Sequence, residues 1–368
     1  MLKSQGILTI DLSAVRGNYA LLKAHAGPKV QVGAVVKANA YGLGAVEIGT
    51  ALATVGCKTF FVSSLEEGIA LRQAIKTPRI LVLNGFYSSG ADAYAEYNLI
   101  PVIGSFLEIE GYKKLSTKHG KKLPAFLNFN IRMNRLGLGK IETERLLADK
   151  TILDGITVAG IMSHFACADE PDHPMTETQF TVFDSIARHF PAAEKSLANS
   201  SGLFRHARYH YDLARPGAAL YGLNPVPEKA NPMKPVARLA VPVIRVRQVY
   251  KDARVGYGGT WQAPQDTPLA TVAAGYADGV FRALGNRGAM YWKGFRCPIR
   301  GRVSMDLTTV DLSAIPEGQR PKPGDWLELI GEHQTADALA ADAGTIGYEV
   351  LTALGHRYEW QYVESTSP

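Results

Sequence analysis

The residue in this chain best placed to do covalent chemistry is a lysine at the end of an apolar run. Lys37 follows Val32-Gly33-Ala34-Val35-Val36, so its stem starts among apolar residues while its amine can reach a surface. Two readings are open. The stem can be buried with the ammonium in water, or the amine can be desolvated enough to lose its proton and condense with a carbonyl. Ala38, Ala40 and Gly42 leave room beside it for a bulky ligand. Ala198-Asn199-Ser200-Ser201-Gly202 and Arg215-Pro216-Gly217-Ala218 put small residues at turns, where backbone N–H groups and hydroxyls can face an anion. Neither matches a P-loop or a dinucleotide fingerprint, and an Asn-Ser pair equally forms a turn or a helix cap. Arg132 and Arg135 add cations. His164 either hydrogen-bonds within the core or meets a ligand ring. Tyr257, in Gly256-Tyr257-Gly258-Gly259, either fills a turn or lies where the backbone approaches something closely.

These residues need a scaffold that brings them together. Short β-rich runs occur at 30–36, 59–62, 79–83, 100–103, 125–130, 158–164, 195–198 and 209–213, and helical spacing falls between most of them, as at 65–75, 91–99 and 178–190. Strand–helix alternation predicts crossover units and a parallel sheet. Eight strands over roughly 200 residues approach the size of a closed (β/α)8 TIM-like barrel, with an open doubly wound sheet as the competitor. In a barrel, Lys37, Arg132, Arg135, His164, Asn199, Ser200, Arg215, Gly217 and Ala218 all follow strand C-termini, so they converge on one mouth. After Pro232 the texture changes. Segments 238–250, 269–275, 289–312 and 325–330 are rich in β-branched and aromatic residues without intervening helices, which predicts a mostly antiparallel β domain. Helical pieces at 335–343 and 345–354 follow, and 7–12 can return to join that domain. The expected division is a barrel over 10–232 and a β domain over 233–368 with the N-terminal strand 1–9.

Composition narrows the function classes. With 46% hydrophobic and 20% charged residues the chain is globular rather than disordered. The net charge of +6 is spread out, and its densest stretch, Lys118-His119-Gly120-Lys121-Lys122, has no aromatic residue to stack on a base. It reads as a solvated loop, and nucleic acid is not an expected partner. Cys57, Cys167 and Cys297 are isolated, with no CxxC pair and no metal-ligand spacing, so no metal and a reducing cytosol are expected. Lys3 is followed only by a short apolar stretch, and no apolar run reaches the about 20 residues of a membrane span. The expectation is a cytoplasmic protein without membrane association.

The whole set of motifs resembles one family. Val35-Val36-Lys37-Ala38-Asn39-Ala40-Tyr41-Gly42-Leu43-Gly44 is similar to the cofactor-lysine signature of the alanine racemases. Ser163–Glu170 (Ser-His-Phe-Ala-Cys-Ala-Asp-Glu), Ala198-Asn199-Ser200, Arg215-Pro216-Gly217 and Tyr221-Gly222 agree in order. So do Gly256-Tyr257-Gly258, Gly275-Tyr276-Ala277-Asp278-Gly279, Gly301-Arg302-Val303-Ser304-Met305-Asp306 and Thr345-Ile346-Gly347-Tyr348-Glu349. The resemblance implies a pyridoxal 5′-phosphate isomerase that interconverts L-alanine and D-alanine, supplying D-alanine for peptidoglycan. It further implies a head-to-tail homodimer in which residues matching Tyr257, Met305 and Asp306 come from the partner's β domain. By similarity Lys37 carries the cofactor as a Schiff base, and Tyr41, Ser200, Gly217, Ala218 and Tyr348 hold its phosphate. Asn199 and His164 join the cofactor site, Arg215 faces the pyridine nitrogen, and Arg135, Met305 and Asp306 bind substrate.

Racemisation removes the α-proton from one face and returns one to the other, so the resemblance makes Lys37 and Tyr257 the two acid–base groups. A free phenol has a pKa of about 10, so Tyr257 needs a positive or hydrogen-bonding neighbour, with His164 and Arg215 as candidates. A protonated guanidinium at the ring nitrogen donates without protonating it, which keeps the ring a weaker electron sink and disfavours transamination.

One segment departs from the family. Where its members usually show Lys-x-Asp-Thr-Gly-Met-x-Arg, this chain reads Asn128-Phe129-Asn130-Ile131-Arg132-Met133-Asn134-Arg135. Asn128 replaces a lysine that in many members is carbamylated and orients the arginine. Arg135 therefore needs another positioning group, the Asn128 amide or a bound anion. Trp360 stands where a second arginine is common. Three rivals remain: a broader-specificity racemase, a decarboxylase on the same barrel lacking the Tyr257 block, and a non-catalytic cofactor-binding protein needing only the barrel.

Overall fold

The computed structural model describes residues 6–364. The parts of the expected domains at 1–5 and 365–368, Lys3 among them, lie outside the described residues. The chain forms two compact units.

The larger unit, 15–220 with 224–233, is the barrel. Its first strand is Gln31–Val32 and Ala34–Val35, interrupted at Gly33. Thr59–Val62, Arg79–Val82, Leu99–Ile103, Leu123–Asn128, Ile156–Met162 and Glu194–Ser196 follow, each parallel to the one before. The last strand, Leu213–Ala214, pairs in parallel with Gln31–Val32. On its other side Asp212 N–H donates to Lys195 O and Arg215 N–H to Ala198 O, at 3.1 and 2.9 Å. A strand bonded to both the first and the penultimate strand leaves no edge, so the sheet is closed and the open alternative is excluded. Strands covered on both faces carry unbroken apolar runs: Thr59–Val62 and Leu99–Ile103 are buried at every residue.

The crossover helices start at defined caps. Ser64 and Ser105 accept from Glu67 N–H and Glu108 N–H, and such caps are worth about 1 kcal/mol each. Three expected boundaries are corrected. The helix read at 178–190 is Pro174–Ala187, because His173 caps it and Pro174 suits a first turn. The helix at 91–99 ends at Glu96, and Asn98 in a left-handed conformation turns the chain into strand Leu99–Ile103. The strand at 209–213 is instead a 3-10 turn at Ala207–Tyr209, with the strand confined to Leu213–Ala214. The basic stretch is solvent-exposed as expected, and Lys118 pairs with Asp92 at 2.7 Å.

The smaller unit, over the described residues 6–14, 221–223 and 234–364, is a mostly antiparallel sheet. Its strand order is Phe295–Pro298, Ala289–Trp292, Trp326–Ile330, Ala237–Val249, Ile7–Asp11 and Glu359–Val363, with Thr267–Val272 and Thr308–Asp311 branching from Ala237–Val249. Ile7–Asp11 joins as expected, antiparallel to 237–240 and parallel to Glu359–Val363. The stretch 289–312 is not continuous β structure. A tight turn with positive φ at Lys293 and Gly294 makes a hairpin, and a loop precedes Thr308–Asp311. That loop carries Met305 and Asp306. No helix of the described residues is long and apolar enough to cross a membrane.

Candidate active site

Residues after the barrel strands gather cations, Arg215 buried and Arg132 and Arg135 exposed, around the half-buried Lys37 and His164. The chain leaves the first strand through a turn, Lys37–Gly42, in which Ala38, Asn39, Ala40 and Tyr41 all have φ between 51° and 56°. Left-handed backbone costs L-residues about 1–2 kcal/mol each, so four in succession must be held from outside. Glu67 does this. One carboxylate oxygen accepts from Ala38 N–H at 2.7 Å and the other from Ser63 N–H and Oγ–H at 2.8 Å. Desolvation holds the Lys37 amine below the usual lysine range, Arg135 lowers it further, and Glu67 partly offsets them.

Arg215 is buried. Its two terminal nitrogens donate to Ser196 Oγ and Ser163 O, both at 2.5 Å, and Ser196 in turn donates to Leu213 O. Among the described residues its Nε–H donates to nothing. Burial brings the guanidinium down to about 9, so it is still a cation at neutral pH. His164 is pushed down to about 3, first by desolvation and then by the charges of Arg215, Arg135 and Lys37. It is therefore neutral at physiological pH and available only as a hydrogen-bonding group.

Beside this cluster, Ser200 Oγ accepts from Gly217 N–H and Ala219 N–H at 3.0 and 3.2 Å. Ser200 is buried, and among the described residues its own hydroxyl proton has no acceptor. The helix-cap reading of the neighbouring pair holds, since Asn199 caps helix Ser200–Arg205 through Gly202 N–H at 2.8 Å. Gly217 lies under the Tyr41 hydroxyl, where any Cβ would stand 2.3 Å from Tyr41 Oη. Ala218 follows, buried, at the start of the next turn.

The departing segment is held by its own residues. Asn130 Nδ2–H donates to Asn134 Oδ1 and Asn134 N–H donates to Asn130 Oδ1, both at 2.9 Å. Asn130 N–H and Leu138 N–H bond across to Leu138 O and Asn128 O. This clasp fixes the turn carrying Arg132 and Arg135, whereas the Asn128 amide makes no side-chain hydrogen bond among the described residues.

Tyr257, Met305, Asp306 and Tyr348 belong to the sheet unit. Tyr257 is 71% exposed on a turn between Gly256 and Gly258, both with positive φ. Met305 is exposed on its loop, and Tyr348 lies in the first turn of helix Gly347–Thr352. Trp360 sits in strand Glu359–Val363 opposite Leu8.

Several residues of these sites escaped the sequence reading. Glu67 had a signal, since Ser64-Leu65-Glu66-Glu67 has the spacing of a helix start directly after a barrel strand. Ser163 directly precedes His164, and Ser196 lies three residues before Asn199 at the end of strand Glu194–Ser196. Cys167, Glu170 and His173 bring donor atoms within 4.8 Å of one another, a grouping their spacing did not suggest, and His173 Nδ1 there accepts from Met175 N–H.

A closed barrel with a desolvated lysine among cations, on a chain that also carries a separate antiparallel sheet, defines an enzyme of the carbonyl-condensing lysine class. Residues 10–225 match the pattern of the alanine racemase N-terminal domain, and 236–362 match that of its C-terminal domain. The chain belongs to the alanine racemase family. It is 46% identical over 358 residues to a catabolic alanine racemase of Mesorhizobium japonicum, covering 97% of this chain and 93% of the relative. An alanine racemase of Acidiphilium cryptum is 46% identical over 352 residues, covering 95% and 97%. Among solved structures, the Bartonella henselae alanine racemase with covalently bound pyridoxal phosphate superimposes with a TM-score of 0.93 at 38% identity, covering 98% of this chain and all of that one. The biosynthetic alanine racemase of Pseudomonas aeruginosa gives a TM-score of 0.91 at 36% identity, covering 98% and 100%.

Proposed function

We propose that this chain interconverts L-alanine and D-alanine with pyridoxal 5′-phosphate on Lys37. The observation that carries the reading is the desolvated Lys37 amine near the cations Arg135 and Arg215, with Glu67 only partly offsetting them. The residues present fit the cofactor: an anion would take the unused Ser200 hydroxyl proton, next to the Gly217 backbone that lets the Tyr41 hydroxyl approach closely. Tyr41, Ser200, Gly217, Ala218 and Tyr348 would hold the phosphate, with Asn199 fixing the turn beneath it and His164 against the ring. When bound, pyridoxal phosphate supplies an electron-withdrawing system that acidifies the α-hydrogen of its amino acid.

The remaining work falls to the protein. Lys37, once free, takes or returns the α-proton at Nζ on one face. Tyr257 of a second copy serves the other face through its phenolic oxygen, with neutral His164 as a hydrogen-bonding partner and Arg215 as the nearby cation. Arg215 keeps its proton at neutral pH and can donate Nε–H to a ring nitrogen without giving the proton up. Arg135, Met305 and Asp306 would bind the substrate carboxylate. Among the described residues the Met305 and Asp306 N–H groups donate to nothing, so both are available to it.

The working form in this reading is a cytoplasmic homodimer, with a cofactor-binding barrel over 10–232 and a completing β domain over 233–368 together with the N-terminal segment 1–9. Its physiological use would be D-alanine supply for peptidoglycan. The catabolic names of relatives such as the Mesorhizobium enzyme favour a second use, consumption of D-alanine. The chemistry is the same either way, since the enantiomers have equal free energy. The test is chiral quantification of products from L-alanine, serine, lysine and arginine with added cofactor. Fastest formation of D-alanine supports the reading, faster turnover of another amino acid moves the specificity, and carbon dioxide release replaces racemase with decarboxylase.

A further inference from the structure

The loop that holds Met305 and Asp306 is gripped at three points, and all three lead to one arginine that the family motifs do not include. The turn Tyr276–Asp278 donates Tyr276 N–H to Ser304 O and Ala277 N–H to Met305 O, at 3.0 and 2.9 Å. Gly275 is required for that approach, because a Cβ there would lie 2.3 Å from both Ser304 O and Met305 O. The turn is closed by Asp278, whose Oδ2 accepts from Gly275 N–H at 2.9 Å. Asp278 is buried and acidic, so it needs a cationic partner. Arg357 supplies it in a two-point fork, Nε–H to Oδ1 at 2.7 Å and Nη2–H to Oδ2 at 2.8 Å. The remaining arm of the same guanidinium, Nη1–H, reaches Asp306 Oδ1 at 2.8 Å.

We propose that Arg357 is the positioning residue of the substrate-carboxylate loop. It clamps the Asp306 side chain to the buried Asp278 anchor and so fixes the backbone that carries the Met305 and Asp306 amides. The inference rests on the proposed role of those two residues. Arginine suits the task because its planar fork engages one carboxylate with two donors and still presents a third. A lysine offers a point charge and can hold only one end well. Arg357 touches no reacting atom in this account and acts through Asp306.

The test uses the full holoenzyme and the variants Arg357→Gln, Arg357→Lys, Asp306→Asn and the double variant Arg357→Gln/Asp306→Asn. In Arg357→Gln, amide hydrogen exchange over 304–307 is expected to accelerate about tenfold or more, the rest of the sheet keeping its protection while the thermal midpoint falls because buried Asp278 loses its partner. KM for alanine rises on the order of tenfold while kcat stays within about threefold. The inhibition constant for propionate, which keeps alanine's carboxylate and lacks its amine, rises in parallel with KM. Arg357→Lys recovers part of both effects. The double variant is no worse than Arg357→Gln alone, as expected for two residues in one chain of contacts. Unchanged exchange at 304–307, a uniform loss of protection across the sheet with KM unmoved, or additive effects in the double variant would overturn the proposal. A wild-type enzyme that fails to turn over alanine removes the functional reading instead, and the exchange measurement still decides whether Arg357 holds the loop.

Discussion

Two arginines show how differently the two units handle charge. Arg215, in the barrel mouth, is buried without a carboxylate partner, is held by a serine and a carbonyl, and is pulled down to about 9. Arg357, in the sheet unit, lies half-exposed between Asp278 and Asp306 and is held above the usual arginine range by both. The mouth is electrostatically incomplete: Lys37 and Arg215 are pressed toward their neutral forms and His164 is held neutral, which disposes the site toward an anion and a carbonyl. The sheet cluster is complete in itself, and its charges serve to fix backbone shape. Incomplete charge marks chemistry here, and paired charge marks positioning.

The contrast can be broken most severely at Lys37. Lys37→Ala should lower D-alanine formation by at least about 10³-fold, since a positioned proton-transfer group alone is worth roughly 10²–10⁴-fold. Lys37→Arg should not rescue it, because guanidinium keeps its proton. Next in size is Gly217→Ala. Its Cβ meets the Tyr41 hydroxyl, and overpacking by about 1–3 kcal/mol corresponds to weakening cofactor binding by about 5- to 150-fold in an equilibrium titration. Arg215→Glu should raise transamination relative to racemisation on the order of tenfold, about 1.4 kcal/mol of partitioning, read as pyruvate formed per D-alanine. An unchanged ratio would remove the proposed role of that guanidinium.

The smallest effect sharpens the contrast through pH. His164 has its folded pKa depressed to about 3, so the folded state binds fewer protons than the unfolded state between there and the unfolded value of about 6.5. Stability should therefore fall as pH falls through that window, and His164→Asn should flatten the slope in thermal unfolding measured against pH.

The fold was legible because strand–helix alternation and the later run of β-rich segments are local patterns. Closure was not, since it depends on backbone bonds from 212–215 to both 31–33 and 195–198, which no periodicity records. Lys37, Arg215 and Ser200 were legible because each lies within four residues of a strand end. The left-handed turn at Ala38–Tyr41 was hidden: alanine and tyrosine give no hint of positive φ, and the Glu67 carboxylate that supports it lies 29 residues on from Ala38. The Asn130–Asn134 clasp was equally invisible, so the segment that reads as a loss against the family turns out to brace itself. Arg357 stands 79 residues from Asp278 and 51 from Asp306, a pairing made only by the folded sheet.

The central claim is that two different groups work on opposite faces of one α-carbon. L-Alanine should be converted in deuterium oxide, with early-time mass analysis of both enantiomers. Two separate bases predict that newly formed D-alanine carries solvent deuterium at Cα while the remaining L-alanine is still largely protiated. Equal deuterium in both enantiomers from the earliest time points, together with retention of the substrate proton in product, would mean that one group serves both faces and would contradict the account.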